Sequence, residues 1–205
     1  HVVPDFRQGL VSAAQANGFA GLRSNTVLFG WPHREGRLED LLRVSASFTR
    51  LGKNTIIARP NWTGELKRRQ VIDIWWRGKQ HNGDLMLLLA HLLRLNSEWA
   101  DARLTVRSIA RSEAERDSQH TGLAELLAEN RIEADTEVLY EPNPDRDVAE
   151  ILHERSAHAD VVFLGLMIPY YGDEIRYAER LEQLAEGFKT TIFVRNAGRF
   201  AGDLL

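Results

Sequence analysis

The sequence predicts an α/β protein: a three-layer, doubly wound, mostly parallel sheet with an N-terminal β-α-β extension. Three observations carry this reading. Short runs rich in β-branched and aromatic residues alternate with helical patterns along the chain, which argues for right-handed β-α-β crossovers. From Val71 onward the order reads as five strands and four helices in strict alternation, the pattern of a doubly wound sheet. Within the strand Val71–Trp76 (VIDIWW), the adjacent Trp75 and Trp76 must point to opposite faces, so the sheet is covered by helices on both sides.

Taken in order, Pro4–Asn17 reads as an amphipathic helix with Phe6, Leu10, Val11 and Ala14 on one face and Gly18 to close it. GFAGLRSN follows as a turn-rich connection. Thr26–Trp31 (TVLFGW) is a strand ended by Gly30 and Pro32. Leu38–Leu51 is a helix with Leu38, Leu41, Leu42, Ser45 and Phe48 inward, and Asn54–Ala58 is a second strand. Arg59–Arg69 is a polar connection that ends in Lys67, Arg68 and Arg69.

After Val71–Trp76 a loop leads to Asn82, placed where an N-cap would stand. Leu85, Met86, Leu88, Leu89, Leu92, Leu93 and Leu95 then follow at mostly helical spacing. Arg103–Ala110 is a strand, Glu113–Asn130 a helix capped by Ser112, and Asp135–Tyr140 a strand. Asp145–Ala157 is a helix, Ala159–Gly165 an apolar strand, Leu166–Asp173 an irregular loop, Glu174–Phe188 a helix and Thr190–Val194 the last strand. Residues 1–70 therefore form a helix plus a β-α-β extension, and residues 71–205 the α/β core. No Pro- or Ser-rich linker separates the two parts, so one continuous domain is expected.

Composition excludes several classes. A net charge of −3 gives no reason to expect nucleic acid as a partner. The chain has no cysteine, which rules out disulfides, thiol catalysis and Cys-ligated metal. No apolar run reaches the about 20 residues of a membrane helix. No signal peptide is visible, and a start at His1 is read as the start of a fragment.

The signatures of chemistry are missing. There is no GxxxxGK[ST] loop, no GxGxxG after a strand, no GxSxG and no HExxH. His153 and His158 are five apart and do not share a helix face, and His91 sits among leucines as a partly buried packing residue, so no metal site is expected. His81 lies at the carboxyl end of the first core strand, where such folds bind ligands, but reads as solvent-exposed. Lys67–Arg69 is too few charges for a lipid surface and reads as a solvated connection. In Leu166–Asp173, Met167, Ile168, Pro169, Tyr170 and Tyr171 stand between Gly165 and Gly172, where a phosphate cradle needs bare backbone N–H groups. That loop reads as a lid on the strand ends or as an interaction surface.

VIDIWWRGKQHNGDLMLLLAHLLRLNSEWADARLTVRSIA resembles the cytosolic C-terminal domain of prokaryotic cation–chloride cotransporters. The matching residues are Ile72, Asp73, Ile74, Trp75, Trp76, Gly83, the leucines from Leu85 to Leu93, and Trp99. GFAGLRSNTVLFGW resembles a second motif of that family through Gly21, Asn25, Thr26, Gly30 and Trp31, and ADVVFLGL resembles its late strand. Ser24 stands where the family has Pro, and the loop His81–Asp84 lacks its full Asp-Gly-Gly.

The resemblance implies a universal-stress-protein-like fold on the cytoplasmic side of the cell membrane, attached to a permease of the amino acid–polyamine–organocation type. That permease would move chloride together with sodium, potassium or both. The domain itself would serve regulation and dimerisation without enzymatic activity. Its partners would be a second copy and the transmembrane domain of the same chain, with Met167, Ile168, Tyr170 and Tyr171 as the dimer surface. No cofactor is expected. The alternative is a nucleotide-binding regulatory protein of the universal stress type, and a small α/β enzyme is a third reading that no catalytic constellation favours.

Overall fold

The computed structural model describes residues 5–16, 18–19, 22–34, 36–61, 70–77 and 82–198. The expectations for Gly21, Lys67, Arg68, Arg69 and His81 lie outside the described residues.

Helix α1 (Phe6–Ala16) leads into a two-stranded antiparallel pair of β1 (Gly18–Phe19) and β2 (Leu22–Arg23), where a turn-rich connection was expected. The extension continues with β3 (Thr26–Gly30), α2 (Arg37–Arg50) and β4 (Asn54–Pro60). The core follows as β5 (Val71–Trp75), α3 (Asn82–Arg94), β6 (Arg103–Ala110), α4 (Glu113–Glu129), β7 (Asp135–Tyr140), α5 (Val148–Ser156), β8 (Val161–Gly165), α6 (Glu174–Ala185) and β9 (Thr190–Arg195).

One seven-stranded sheet runs in the order β3-β4-β9-β8-β5-β6-β7. Every neighbouring pair is parallel except β4–β9, which is antiparallel from Thr55↔Arg195 to Pro60↔Thr190. The extension thus adds two strands beside β9, running against the rest. Strand direction at that junction is set by the long path from β4 to β9, which leaves no local pattern.

As expected, β5 is central, flanked by β6 and β8. Trp75 joins the cluster formed with α2, α5 and α6, through Leu38, Leu42, Ile151, Leu152, Ala178 and Leu181. Trp76 packs on the opposite face, with α3 and α4, against Leu85, Met86, Leu123 and Leu127. Each tryptophan therefore belongs to one helical layer. Helix α1 lies outside α2, where Leu10, Val11 and Ala14 meet Val44, Phe48, Val27 and Phe29.

The inward face of α2 is the expected one: Leu38, Leu41, Leu42, Ser45 and Phe48 are all buried. Helix α3 differs from expectation. Its buried apolar residues are Leu85, Met86, Leu87 and Ala90, while Leu92 and Leu95 are exposed. A leucine on nearly every position blurs the helical period, so spacing alone does not pick the buried stripe. Helix α5 begins at Val148 rather than Asp145, because Asp147 caps it: its carboxylate accepts from the backbone N–H of Ala149 at 3.0 Å. Ser112 caps α4 as expected, accepting from Glu115 N–H at 3.1 Å.

Candidate functional site

Strand order reverses at β5: β6 and β7 lie on one side, β8 and β9 on the other. Doubly wound sheets bind ligands outside the carboxyl ends of the strands at such a point. The sequence puts Trp76, Asn82, Gly83 and the Leu166–Asp173 loop there.

Two side chains fill this position. A methyl group on Gly83 would lie 2.0–2.6 Å from ring atoms of Trp76, so the indole presses directly on the first turn of α3. Only glycine permits that approach. Asn82 is the first residue of α3 rather than the residue before it, and it ties two strand ends together. Its side-chain amide donates to the Leu166 carbonyl at 3.2 Å, and its oxygen accepts from the Asn196 backbone N–H at 2.9 Å. A methyl group on Gly165 would lie 3.3 Å from the same amide nitrogen, again where a side chain would crowd.

The backbone amides that follow β8 are largely committed. Leu166 N–H donates to the Val194 carbonyl, Met167 N–H to the Tyr177 hydroxyl at 2.8 Å, Gly172 N–H to the Glu174 carboxylate at 2.9 Å, and Asp173 N–H to the Tyr170 carbonyl. Burial pushes the Tyr177 phenol above its ordinary pKa, so it stays protonated at neutral pH. Glu174 is buried and lies 3.7 Å from Arg43 of α2. A carboxylate thus takes up a backbone N–H of this loop, and its negative charge there opposes a phosphate.

Below this end, the core carries a charged network on the Trp75 face of β5. Asp73 is 1% exposed and accepts from Arg107 Nε at 3.0 Å and from the Ser156 hydroxyl at 2.6 Å. Ser156 in turn accepts from the Trp75 indole N–H at 3.0 Å. Arg107 also pairs with Glu137 on β7. The alternation of β5 puts Asp73 and Trp75 on one face, and Ser156 is the residue that joins them. Neither Ser156 nor Arg107 carried a sequence signal, since they come from α5 and β6.

The remaining motif residues are placed by backbone geometry and packing. The Asn25 carbonyl accepts from Asn54 N–H, closing the start of the β3–β4 pair, and Trp31 N–H donates to the Ala58 carbonyl at its other end. The Trp31 ring lies tilted on Phe193 at 5.7 Å, with the Arg59 guanidinium 5.4 Å above it. This ring forms part of an open cleft of about 570 Å³ whose other walls are Arg59, Gln183 and the exposed Glu179, Glu182 and Glu186. Trp99 is buried in the α3 layer. His91 is half-buried, and among the described residues no group of acidic and histidine side chains could hold a metal ion.

The Leu166–Asp173 loop presents its aromatic pair outward. Tyr170 is 85% exposed and Tyr171 fully so, with Met167 and Ile175 also exposed and Ile168 half-buried. The rings do not cover the strand ends as a lid. They form an apolar ridge at the carboxyl end of the sheet.

Comparison with known proteins places these features. Residues 49–144, just under half of the chain, match the family model of solute carrier family 12. Cation-chloride cotransporter 2 of Oryza sativa subsp. japonica is 27% identical over 159 residues, covering 71% of this chain and 16% of that protein. Cation-chloride cotransporter 1 of the same organism is 25% identical over 148 residues, covering 67% of this chain and 15% of that protein. The chain therefore spans about 16% of the length of the curated relatives it matches.

Among solved structures, the cytoplasmic domain of a prokaryotic cation chloride cotransporter superposes with a TM-score of 0.68 at 19% identity, covering 94% of this chain and 72% of that one. A universal stress protein from Archaeoglobus fulgidus DSM 4304 superposes with a TM-score of 0.53 at 10% identity, covering 94% of this chain and 68% of that one. The fold is thus universal-stress-protein-like, as expected. The resemblance to cation–chloride cotransporters read from the Trp-Trp strand and the Leu-rich helix is present in sequence and fold alike.

Proposed function

We propose, from the match of residues 49–144 to solute carrier family 12, that this chain is the cytosolic regulatory and dimerisation domain of a cation–chloride cotransporter. That match carries the reading. Symport of chloride with sodium, potassium or both would belong to the membrane part of such a protein. No helix among the described residues is long and apolar enough to cross a membrane. The domain would sit on the cytoplasmic side and act by binding, not by catalysis.

Two structural features support this role over nucleotide binding. The amides after β8 and the carboxylate of Glu174 leave little for a phosphate to bind, and Trp76 fills the space over α3. The exposed ridge of Met167, Tyr170, Tyr171 and Ile175 offers what a protein contact uses, because aromatic and Met side chains are enriched at interfaces. We assign this ridge, with Ile168 beneath it, to contact with a second copy across a two-fold axis.

Sedimentation of the 205-residue chain over a range of concentrations tests the reading. Self-association that increases with concentration is expected. Replacing Tyr170→Ala and Tyr171→Ala together weakens it by more than about 1 kcal/mol if the pair contains an anchor. A strict monomer at the highest concentrations would overturn the dimerisation role, and a dimer indifferent to the double replacement would remove the tyrosine ridge from the contact.

A further inference from the structure

Among the described residues, strand β3 is an edge of the sheet. Its only strand neighbour among the described residues is β4. From Asn25 to Trp31 the sequence NTVLFGW holds no charge and no proline. Leu28, at its centre, is 67% exposed. The opposite edge is built differently. Strand β7 carries Asp135 and Glu137, and Glu137 is paired with Arg107 and Arg155. Edge strands of soluble proteins are normally guarded by charge, proline or a covering element, because their free N–H and C=O groups attract another strand.

The hydrogen-bond parity of β3 says which groups are free. The Asn25 carbonyl and the Trp31 N–H both point toward β4. In a parallel pair the backbone groups of alternate residues face the same way, so Val27 and Phe29 also face β4. Thr26, Leu28 and Gly30 therefore turn their N–H and C=O groups outward, to the open edge. A methyl group added at Gly30 would meet nothing within 4 Å, so the sheet face on the Leu28 side is also open at this end.

We propose that β3 is a self-association surface, at which the β3 strands of two copies pair antiparallel about a two-fold axis through Leu28. The parity is what makes the strand complementary to itself. Centring the axis on Leu28 sets Leu28 opposite Leu28, and Thr26 opposite Gly30 on each side. All three are hydrogen-bonded positions of an antiparallel ladder, giving about six new bonds. For identical copies, charge complementarity requires that no charge face its own duplicate, and the uncharged Asn25–Trp31 stretch meets that condition. The exposed Leu28 side chains would lie side by side on one face and shield each other. A pairing centred on Val27 or Phe29 would present no outward hydrogen-bonding groups at its axis.

This contact is separate from the tyrosine ridge, which lies on the loop after β8. Because the chain has no cysteine, Leu28→Cys introduces a single thiol. Across the proposed axis the two Cα atoms stand about 5.5 Å apart, within disulfide reach. Mild oxidation of the Leu28→Cys chain is expected to give a covalent dimer faster than Leu92→Cys, another exposed leucine that serves as the collision control. Crosslinking should persist when Tyr170 and Tyr171 are both replaced by alanine. In that background, Leu28→Pro removes one outward N–H and leaves the bonds to β4 in place, and should raise the dissociation constant by more than about tenfold; Leu28→Lys should do the same.

Circular dichroism confirms that each variant keeps its fold. Equal crosslinking of the Leu28→Cys and Leu92→Cys chains, or association unchanged by both Leu28→Pro and Leu28→Lys, overturns the β3 contact and leaves the ridge untouched. Loss of the Leu28→Cys crosslink in the tyrosine double variant also overturns it, since the crosslink would then depend on the ridge.

Discussion

Replacing Asp73 by alanine should be among the most damaging single changes in this chain. Its carboxylate is 1% exposed and holds two donors, Arg107 and Ser156, while Arg107 itself is 8% exposed. Removing it leaves a nearly buried guanidinium with Glu137 as its remaining carboxylate and a buried hydroxyl without its acceptor. Breaking one side of a buried ion pair costs about 3–5 kcal/mol. For a chain of this size each kcal/mol lowers Tm by roughly 2–4 °C, so a drop of about 10 °C is expected. Urea unfolding followed by tryptophan fluorescence and by circular dichroism measures the loss directly, with coincident transitions as the check on two-state behaviour. A second comparison separates charge from packing. Asp73→Leu with Arg107→Met replaces both partners by apolar groups and should recover about half the loss or more, because no unpaired charge remains. A loss below about 1 kcal/mol for Asp73→Ala would refute the reasoning, as would a double variant less stable than Asp73→Ala alone.

Gly83→Ala should destabilise by about 1–3 kcal/mol through its collision with the Trp76 ring, and Trp76→Ala in the same chain should relieve the collision, so a further loss beyond that of Trp76→Ala alone would contradict the packing. The Asp147 carboxyl is held down to about 2, first by the Arg180 guanidinium and then by the Ala149 N–H at the start of α5. Its contribution is therefore complete above the ordinary value of 3.8 and disappears as the pH falls through about 2, which an NMR titration of the side chain would follow. Arg180→Ala should move that midpoint upward, and an unchanged midpoint would assign the effect to the helix cap instead. Calorimetric titration with ATP and magnesium should show no binding in the low micromolar range, whereas such affinity would favour the nucleotide-binding alternative.

Much of the core was legible because buried strands and their crossovers leave strong local patterns. The alternation of β5 alone places Asp73 beside Trp75 and sends Trp76 to the other layer. It also demands a partner for Asp73, since a buried carboxylate without one is costly. It does not say which partner: Ser156 and Arg107 stand 83 and 34 positions away and look like ordinary helix and strand residues. Asn82 shows a similar limit. A polar residue before a leucine run suggests a cap, yet its side chain binds the ends of β8 and β9, which only the folded topology brings to it. The bulk of the loop after β8 is plain in the sequence, but which of its side chains turn outward is not: Ile168 and Pro169 take half-buried positions and both tyrosines exposed ones. The β3 edge left no signal, because an exposed leucine in a short strand reads the same as a covered one.

The antiparallel seam between β4 and β9 has a bearing on how the chain is made. A ribosome releases β4 early and β9 last of the described strands, yet β9 is the strand that separates β4 from β8 in the finished sheet. The β3-α2-β4 unit, though complete soon after it emerges, can set α2 against α5 and α6, but β4 has no strand to pair with on that side until residues 190–195 arrive. Closure of the sheet is therefore deferred to the end of synthesis of this region. In the interval both edges of the β3–β4 pair and the flank of β8 are open, and unpaired strand edges invite misassembly. A slow pause between Pro60 and Thr190 would lengthen that exposure, while a mutation in β9 would strand the early unit without affecting its own contacts.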